Sequence, residues 1–199
     1  MIQIEQWLKD DVIQEITDKG SSWNSRLLVI SKRKIPGEPQ CYRVAIDLRA
    51  LNRACAINLS LFPPFSIQET FHMLGQSKIF STMDLTHAFM SLPIYKPHRH
   101  KTAFSVNGCR YFFKRTCFGL ASAPASLGQV MAKALKNVPR SFCLYYVDDV
   151  IVFSRSPDDH LRHLKIVLSA LLAAELKIFL PKCKFYKTSI EIFGSFNNH

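Results

Sequence analysis

The sequence predicts an α+β fold in which antiparallel strands pack on helices. Apolar runs of strand length alternate with segments of helical periodicity along the 199 residues, and several of the connections are typical of hairpin turns. Hydrophobic residues make up 48% of the chain, which is enough to build a core and excludes a wholly disordered protein. The length suits one compact domain, or two small lobes that share a core.

The first part of the chain predicts a β-rich lobe with a basic loop. Residues 1–22 are interpreted as a short polar helix followed by a loop, and the aliphatic run 27–31 as a strand. A basic cluster at 32–34 follows, and the prolines and glycine between positions 36 and 39 indicate a hairpin tip. A second strand pattern over 42–48 completes this hairpin.

A helix is predicted after the proline pair that ends this region. Ser66 and Glu69 form a capping box at its start, and Gly75 is suited to its end. The apolar face of this helix would consist of Ile67, Phe71 and Leu74. The next segment, 78–85, is predicted to be a strand that carries a carboxylate, Asp84, near its end.

Two further hairpins and two helices are predicted in the second half. One hairpin covers 102–115, where an Asn-Gly pair gives the strongest short-range turn signal. The other brings 142–147 against 150–154 around a pair of acids. Helices are predicted from Pro124 to about Lys136 and from Pro157 onward, and the chain closes with a short strand pattern. The second helix has leucines at helical spacing, namely Leu161, Leu164, Leu168, Leu171 and Leu172.

The charge balance indicates a polyanionic partner. Lys and Arg number 26 against 15 for Asp and Glu, which gives a net charge of +11. Such an excess is typical of proteins that bind nucleic acid through phosphates, although a basic protein with a solvated surface would show it too. We expect no membrane span and no signal peptide, because the chain has no apolar run of the required length and its first residues include acids without an apolar core segment. Its six cysteines form no C-x-x-C pair. We therefore expect an intracellular, cytoplasmic protein with reduced thiols and no membrane partner.

Three carboxylates stand out in apolar surroundings. Asp148 and Asp149 interrupt the stretch 145–153, which is otherwise aromatic or aliphatic, and Asp84 follows the apolar strand pattern 79–83. A solvated turn would also explain the adjacent pair. If the two strands lie side by side, however, Asp84 and Asp148 converge, and such oxygen ligands suit Mg²⁺. Two ions about 3.5–4 Å apart would activate an attacking hydroxyl and stabilise a leaving pyrophosphate.

Five segments in a fixed order carry a resemblance to a known family. They are residues 43–52, 84–89 (DLTHAF), 118–124 (FGLASAP), 146–149 (YVDD), and 182–185 (KCKF) together with 192–194. This series resembles the motifs of reverse transcriptases, and its phrasing is similar to that of LTR retrotransposons of the gypsy type and of retroviral enzymes. The resemblance extends from about Trp23 to Gly194. It departs from the family pattern at Cys117, where a proline is usual, and at Leu127 and Gly128, where Phe-Gln is usual.

The resemblance implies a right-hand polymerase fold with a β-rich fingers lobe and a palm whose antiparallel sheet packs on helices. Fingers are expected at roughly 1–75 and 95–115, and the palm at roughly 76–94 and 116–199. We expect the thumb to be absent from this chain, and thumb and RNase H regions to come from a longer parent polypeptide. The whole of 1–199 would then be one reverse transcriptase domain.

The resemblance also implies the catalytic residues. Asp84, Asp148 and Asp149 match the metal-binding acids, with Asp84 and Asp148 as the principal ligands of two Mg²⁺ ions. Adjacent residues on a strand point to opposite faces, so Asp148 and Asp149 need a turn to share one site, or they have unequal roles. Lys182 matches a late-palm lysine that would act as a general acid toward the leaving pyrophosphate.

Nucleotide-binding residues follow from the same match. Lys32 and Arg43 match fingers residues that clamp the triphosphate, with solvated surface bases as the alternative. The backbone N–H groups of His87 and Ala88 would face the triphosphate. Phe89 matches an aromatic steric gate that disfavours ribose, although it could equally be a core aromatic.

The implied function is an RNA-directed DNA polymerase, a nucleotidyltransferase that uses an RNA or DNA template with a primer and deoxynucleoside triphosphates. The alternative is a non-catalytic, nucleic-acid-binding remnant of a transposable element. A metal nuclease or another phosphotransferase would explain the acids but not Phe89, Arg43 or the 118–124 segment. We expect the isolated chain to bind nucleic acid in a salt-dependent way and to extend a primer poorly.

Overall fold

The computed structural model describes residues 2–17, 21–31, 37, 40–55, 74–192 and 195–197. The chain divides into two compact units. The first comprises Met1–Asn58 and Phe89–Ala123, and the second Leu59–Ala88 and Pro124–His199. Helices and antiparallel strands occur in both, as the predicted α+β class requires. The expected fingers and palm boundaries remain predictions.

A three-stranded antiparallel sheet forms the larger β-structure of the first unit. Its order is β1 (Ile13–Glu15), β6 (Cys109–Phe113), β5 (Phe104–Val106). Asn107 and Gly108 connect β5 to β6 with φ values of 49° and 80°, and positive φ at both central residues is what a type I′ turn requires. The predicted hairpin is therefore confirmed.

The interpretation of residues 1–22 as a helix and a loop was wrong in part. Helix α1 (Ile2–Lys9) ends early, and Asp11 has a φ of 55°. The chain then enters β1, where Ile13 pairs with Phe113 on β6. This partner lies far along the sequence, so local propensity in the first residues could not indicate the strand.

The first unit also contains the predicted hairpin of β2 (Leu27–Ser31) and β3 (Tyr42–Ile46), paired from Ser31↔Tyr42 to Leu27↔Ile46. The expected strand over 42–48 is shorter because the short helix α2 (Arg49–Ala54) begins soon after it. A 3₁₀ segment, Lys96–Thr102, precedes β5. Lys32, most of the expected hairpin tip and most of the helix predicted from Ser66 lie outside the described residues.

An aromatic core holds the first unit together. The Phe113 ring lies 5.2 Å from that of Trp7 and 5.4 Å from that of Phe104, and all three side chains are buried. Cys117, where the family usually has proline, joins this core, and burial raises the pKa of its thiol to about 12. Cys117 therefore packs as a small apolar side chain and stays protonated at neutral pH.

A four-stranded antiparallel sheet is the centre of the second unit. Its order is β7, β8, β4, β9. The four strands are β4 (Ile79–Asp84), β7 (Cys143–Tyr146), β8 (Asp149–Ser154) and β9 (Lys184–Lys187). Strands β4 and β8 pair without a break from Ile79↔Ser154 to Asp84↔Asp149, so the two strands predicted to flank the acids are neighbours.

Shorter elements complete the description. Helix α3 (Ala88–Ser91) follows β4, and a small hairpin, β10 (Ile190–Ile192) with β11 (Ser195–Asn197), lies near the end of the chain. The two longer helices are α4 (Ala123–Ala134) and α5 (Pro157–Ala173), close to their predicted limits. Within the described ranges, no helix has the length and apolar character needed to cross a membrane.

Helix α5 does not bury the face that its leucines suggested. Ser156 caps its first turn by accepting a hydrogen bond from the Asp159 backbone N–H. Its buried positions are His160, Leu164, Val167 and Leu171, whereas Leu161, Leu168 and Leu172 are exposed. The helix therefore packs on the sheet through a face that begins with a histidine.

Candidate active site

Two of the candidate acids face each other across a strand pair. Asp84 is the last residue of β4 and Asp149 the first residue of β8, and the ladder makes them direct partners. Side chains of such partners share a face of the sheet, with Cβ atoms about 4.5–5.5 Å apart. Strand pairing therefore aligns Asp84 with Asp149. Asp148, the ligand that the resemblance favours, lies outside this ladder, in the turn that precedes β8.

Asp148 lies in the turn between β7 and β8. Val147, the preceding turn residue, has a φ of 56°, which is unusual and strained for a β-branched side chain. The backbone carbonyl of Asp148 accepts a hydrogen bond of 3.1 Å from the Leu85 N–H, which ties the turn to the end of β4. The turn that adjacent acids need in order to approach one site is thus present.

The carboxylate of Asp149 lies close enough to Asp148 and Asp84 to be repelled by both. The pKa of Asp149 is raised, first by partial burial and then by repulsion from Asp148 and Asp84, while Lys182 opposes the rise. Like charges held together disfavour ionisation, and a nearby cation restores it. This end of the sheet is therefore a concentrated negative site that a positive ligand would stabilise.

Lys182 supplies one positive charge to this site. Its Nζ lies 3.0 Å from Asp84 Oδ2, and its side chain is 63% exposed against 21% for Asp84. The lysine ends a 3₁₀ turn, Leu180–Lys182, which is attached to β4 because the Phe179 N–H donates to the Asp84 carbonyl at 2.8 Å. Two residues that the sequence places 98 positions apart are thus brought into contact.

The donor set of this site fits a magnesium ion. Carboxylate oxygens are the ligands that Mg²⁺ prefers, and the ion usually takes only one or two carboxylates together with waters and substrate phosphates. Across the described part of the chain, no group of three or more His, Cys, Asp or Glu side chains is arranged to hold a metal by itself.

His87 and Ala88 follow the same strand. Thr86 and His87 form a turn after β4, where His87 is exposed with a φ of 47°, and Ala88 begins α3 as a buried residue. The Thr86 N–H donates to the Lys177 carbonyl at 2.7 Å, which fixes the start of this turn. Both candidate residues therefore lie within four positions of Asp84.

The other candidate nucleotide-binding residues belong to the first unit. Arg43 is exposed on β3, and its guanidinium lies 4.8 Å from the centre of the Phe118 ring. The Phe118 ring meets the half-buried Phe89 ring edge to face at 5.9 Å. Asp47, the acid nearest to Arg43 in sequence, forms its ion pair with Arg49 at 2.7 Å instead. Arg43, Phe118 and Phe89, here called the Arg–Phe–Phe stack, form one continuous group.

Residue-level prediction missed Phe118. It stands in the 118–124 segment that carried the resemblance, but it had no role there. Phe118 lies between Arg43 and Phe89 and contacts both, so it can orient their side chains. Cation–π and edge-to-face contacts each favour a particular direction of the side chain. The aromatic residue in a glycine-containing loop was the available signal.

A polar cavity lies at the other end of the β4–β8 pair. Its volume is about 470 Å³, and its lining includes Ser154, Arg155, Asp159 and His163. The ladder places Ser154 opposite Ile79, five positions along β4 from Asp84. The candidate catalytic residues do not line this cavity.

Comparison with known proteins identifies the family. The profile described as "Reverse transcriptase (RNA-dependent DNA polymerase)" matches residues 30–195, which is most of the chain. The chain belongs to the reverse transcriptase family. The matched range contains all three acids, Lys182 and the Arg–Phe–Phe stack.

Curated relatives are retrotransposon polyproteins. The chain is 34% identical over 194 residues to the retrovirus-related Pol polyprotein from transposon gypsy of Drosophila melanogaster, and 33% identical over 192 residues to that from transposon opus of the same organism. Each alignment covers 96% of this chain but only 18% and 19% of those polyproteins. This reverse transcriptase chain thus spans about a fifth of the length of its relatives.

Solved structures share the fold. The foamy viral protease–reverse transcriptase in complex with double-stranded DNA aligns with a TM-score of 0.80 and 26% identity. The alignment covers 97% of this chain and 32% of the viral chain. The same viral protein in complex with an RNA/DNA hybrid aligns with a TM-score of 0.79 and 26% identity, and this alignment covers 97% of this chain and 25% of the viral chain. The predicted right-hand polymerase fold is therefore confirmed.

Gly119, in the loop that carries Phe118, packs too closely on a neighbouring strand to tolerate a side chain. A Cβ on this residue would lie 2.6 Å from the Ile46 carbonyl oxygen, and its φ is +104°. Gly119→Ala should lower the free energy of unfolding by about 2–3 kcal/mol, because strained φ and a backbone clash add together. Gly108→Ala is the matched control, since its φ is +80° but nothing lies within 4 Å. Equal losses in the two variants, measured by urea unfolding, would show that the close approach carries no cost.

Proposed function

We propose that this chain is an RNA-directed DNA polymerase domain that transfers deoxynucleotides to a primer 3′-hydroxyl by a two-metal mechanism. The observation that carries the proposal is that Asp84, Asp148 and Asp149 all lie at one end of the four-stranded sheet. Asp84 is paired with Asp149, the Asp148 turn is bonded to β4, and partial burial, followed by repulsion from Asp148 and Asp84, raises the Asp149 pKa. Family membership makes polymerase chemistry the natural use of such a site.

The acids would hold two Mg²⁺ ions, with Asp84 and Asp148 as the principal ligands. Bound there, the ions would lower the pKa of the attacking 3′-hydroxyl and neutralise the leaving pyrophosphate. The residues of the chain fix the carboxylates: β4 and β8 hold Asp84 and Asp149, and the Val147–Asp148 turn holds the third. The primer 3′-oxygen forms a P–O bond to the α-phosphorus and releases its proton to water, while the bond between the α-phosphorus and pyrophosphate breaks.

Lys182 is proposed as the general acid. Its ammonium can give a proton from Nζ to the pyrophosphate oxygen that leaves the α-phosphorus. The contact with Asp84 supports this role because it places the proton at the carboxylate cluster, and the 63% exposure of the lysine leaves room for it to follow the substrate. A lysine donates protons from a mobile stem, which suits such movement.

Arg43, Lys32 and Phe89 of the first unit and the backbone of His87 and Ala88 in the second unit are proposed to bind the nucleotide. Arg43 is exposed and forms no ion pair among the described residues, so its guanidinium can donate two hydrogen bonds to a triphosphate. Lys32 is proposed to assist it. Phe89, held by Phe118, is proposed to exclude a ribose 2′-hydroxyl, and the backbone N–H groups of His87 and Ala88 to contact the phosphates.

The proposed partners are a primed RNA or DNA template and deoxynucleoside triphosphates. The +11 net charge supplies attraction for phosphates. The two structural relatives were solved with double-stranded DNA and with an RNA/DNA hybrid, which favours the same class of partner here. Further regions, including a thumb and an RNase H, are proposed to come from a longer polypeptide of the kind that the relatives represent.

Primer extension on an RNA template tests this function. We compare the chain with a fusion in which the chain is followed by the segment that succeeds the matched region in the gypsy polyprotein, both with Mg²⁺. The fusion should extend the primer, and the chain alone should bind template-primer with an affinity that falls steeply with salt but extend it poorly, because attraction does not align a 3′-hydroxyl. Efficient extension by the chain alone would refute the expectation of incompleteness. A fusion that binds template-primer without extending it would favour the non-catalytic remnant.

A further inference from the structure

We propose that Asn52 is a positioning residue for nucleotide binding: its side-chain amide clamps the loop at residues 119–121 and thereby aligns the Arg–Phe–Phe stack. This inference rests on the proposed polymerase function and adds a residue to it. Asn52 touches none of the three stack side chains in the hydrogen bonds and ring contacts that the structure records for the described residues. Its effect must therefore pass through the loop.

Both halves of the Asn52 amide are engaged with the loop. The Nδ2 group donates to the Gly119 carbonyl at 2.8 Å, and Oδ1 accepts from the Ala121 N–H at 3.0 Å. The partners fix the orientation of the amide, because a flipped group would set donor against donor and oxygen against oxygen. A single side chain thus satisfies two backbone groups of a segment more than sixty positions away.

The base of the clamp is anchored. Asn52 lies on α2, and its neighbours Leu48 and Leu51 are buried to 1% and 3% exposure. Its own N–H donates to the Leu48 carbonyl at 2.8 Å, as a helical residue should. The amide is therefore presented from a short helix that is fixed in the core of the first unit.

The loop is confined from a second direction. Gly119 approaches the Ile46 carbonyl so closely that only glycine fits, and Ile46 is the last residue of β3. The loop thus rests on the strand that also carries Arg43 and is held there by Asn52. Phe118 immediately precedes Gly119, so the direction of its ring depends on how the loop is seated.

The consequence for nucleotide binding has a specific signature. Without the clamp, Phe118 no longer holds Arg43 and Phe89 in fixed directions. Loss of Arg43 alignment should weaken triphosphate binding, and loss of Phe89 alignment should reduce the preference for deoxyribose over ribose. A purely structural role would lower the melting temperature without changing that preference. A small misplacement of a positioned group can cost a large factor, so we expect about a tenfold loss of affinity.

Asn52→Asp and Asn52→Ala test the clamp, with Asn24→Ala as the matched control. Aspartate keeps the shape and the acceptor but sets a carboxylate oxygen against the Gly119 carbonyl. Asn24 lies in the same unit, and its side chain accepts a hydrogen bond from Ser105 Oγ at 3.0 Å. The measurements are the dissociation constants of fluorescent dTTP and of its ribonucleotide counterpart with Mg²⁺, the melting temperature, and hydrogen exchange over residues 117–121.

Both Asn52 variants should bind dTTP about tenfold more weakly and lose deoxyribose preference, as Arg43→Ala loses affinity, while Asn24→Ala matches the wild type. Exchange over 117–121 should accelerate only in the Asn52 variants. Unchanged exchange would overturn the clamp, whatever the nucleotide result. Faster exchange with an unchanged dissociation constant and preference would overturn the positioning role. If the wild type and Arg43→Ala alike bind no triphosphate, the proposed function fails together with this role, and the exchange result reports the clamp separately.

Discussion

Replacing Asp84 or Asp148 by asparagine should reduce the rate of nucleotide addition at least 100-fold. Each change removes a charged oxygen ligand from the site that stabilises the attacking hydroxyl and the leaving pyrophosphate, and loss of one such electrostatic group commonly costs 10²–10³ in rate, on the order of 3–4 kcal/mol. The measurement is the single-turnover rate of primer extension by the fusion with the downstream gypsy segment. Asp149→Asn should cost less if Asp84 and Asp148 are the principal ligands.

Binding must stay intact for this result to report on chemistry. The dissociation constant for template-primer should change by less than about threefold, since the acids repel rather than bind phosphates in the absence of metal. Asp158→Asn is the matched control, because Asp158 is an exposed acid in the first turn of α5. An Asp84→Asn variant that extends the primer at the wild-type rate would remove the carboxylates from the mechanism.

His160→Ala should lower the free energy of unfolding by about 3–4 kcal/mol. The ring is fully buried, with Nε2 at 2.7 Å from Ser81 Oγ and Nδ1 at 2.9 Å from Ser154 Oγ. Ser81 lies on β4 and Ser154 on β8, so the ring joins α5 to both strands that present the acids. Truncation leaves a cavity and removes one hydrogen bond from each hydroxyl, although Ser154 Oγ keeps its contact with His163 Nδ1 and Ser81 Oγ still accepts from the Tyr186 N–H. Both losses are costly in a core. Urea unfolding measures the loss.

The same network makes stability depend on pH. Burial lowers the pKa of His160, with repulsion from His163 as a further cause, and burial also lowers the pKa of His163, which Asp159 partly opposes and Arg162 reinforces. The centre of the Tyr186 ring lies 4.9 Å from that of the His160 ring. Both histidines are neutral in the folded protein, so stability is complete above their unfolded pKa of about 6.5. It should fall as the pH drops below this value, because the unfolded chain takes up protons more readily.

Two variants separate packing from titration. His160→Phe fills the site with a somewhat larger apolar ring, loses both hydrogen bonds and should flatten part of the pH dependence. His98→Ala, which removes an exposed ring beside Tyr95, should change the free energy of unfolding by less than about 0.5 kcal/mol. A wild-type stability that is constant between pH 7.5 and 5.5, or a His160→Ala loss below 1 kcal/mol, would contradict the assignment.

The sequence predicted those elements whose signals are local. The turn of β5 and β6 follows from Asn107 and Gly108, whose backbone conformations few other residues adopt. The strands at the acids follow from continuous apolar runs, and all but one residue of β8 is buried. Their pairing as neighbours could be anticipated only as a condition, since no local pattern fixes the register of strands that are far apart in the chain.

Contacts between distant residues account for what was missed. Strand β1 has three residues and exists because Ile13 meets Phe113. The hydrophobic pattern of α5 indicated its leucines, but His160 is buried because two serines on other elements satisfy its nitrogens. The roles of Phe118 and Asn52 likewise depend on partners in other segments. A polar side chain that is buried or paired through tertiary contacts has no signature in a single sequence.

Direct titration of the chain with Mn²⁺ tests the central claim, which is that Asp84, Asp148 and Asp149 form a divalent-metal site. Free Mn²⁺ is followed by electron paramagnetic resonance, with and without dTTP, for the wild type, Asp84→Asn, Asp148→Asn and Asp158→Asn. We expect saturable binding that dTTP strengthens, that is lost in the first two variants and that is retained in Asp158→Asn. Identical titration curves for the wild type and Asp84→Asn in the presence of dTTP would contradict the account.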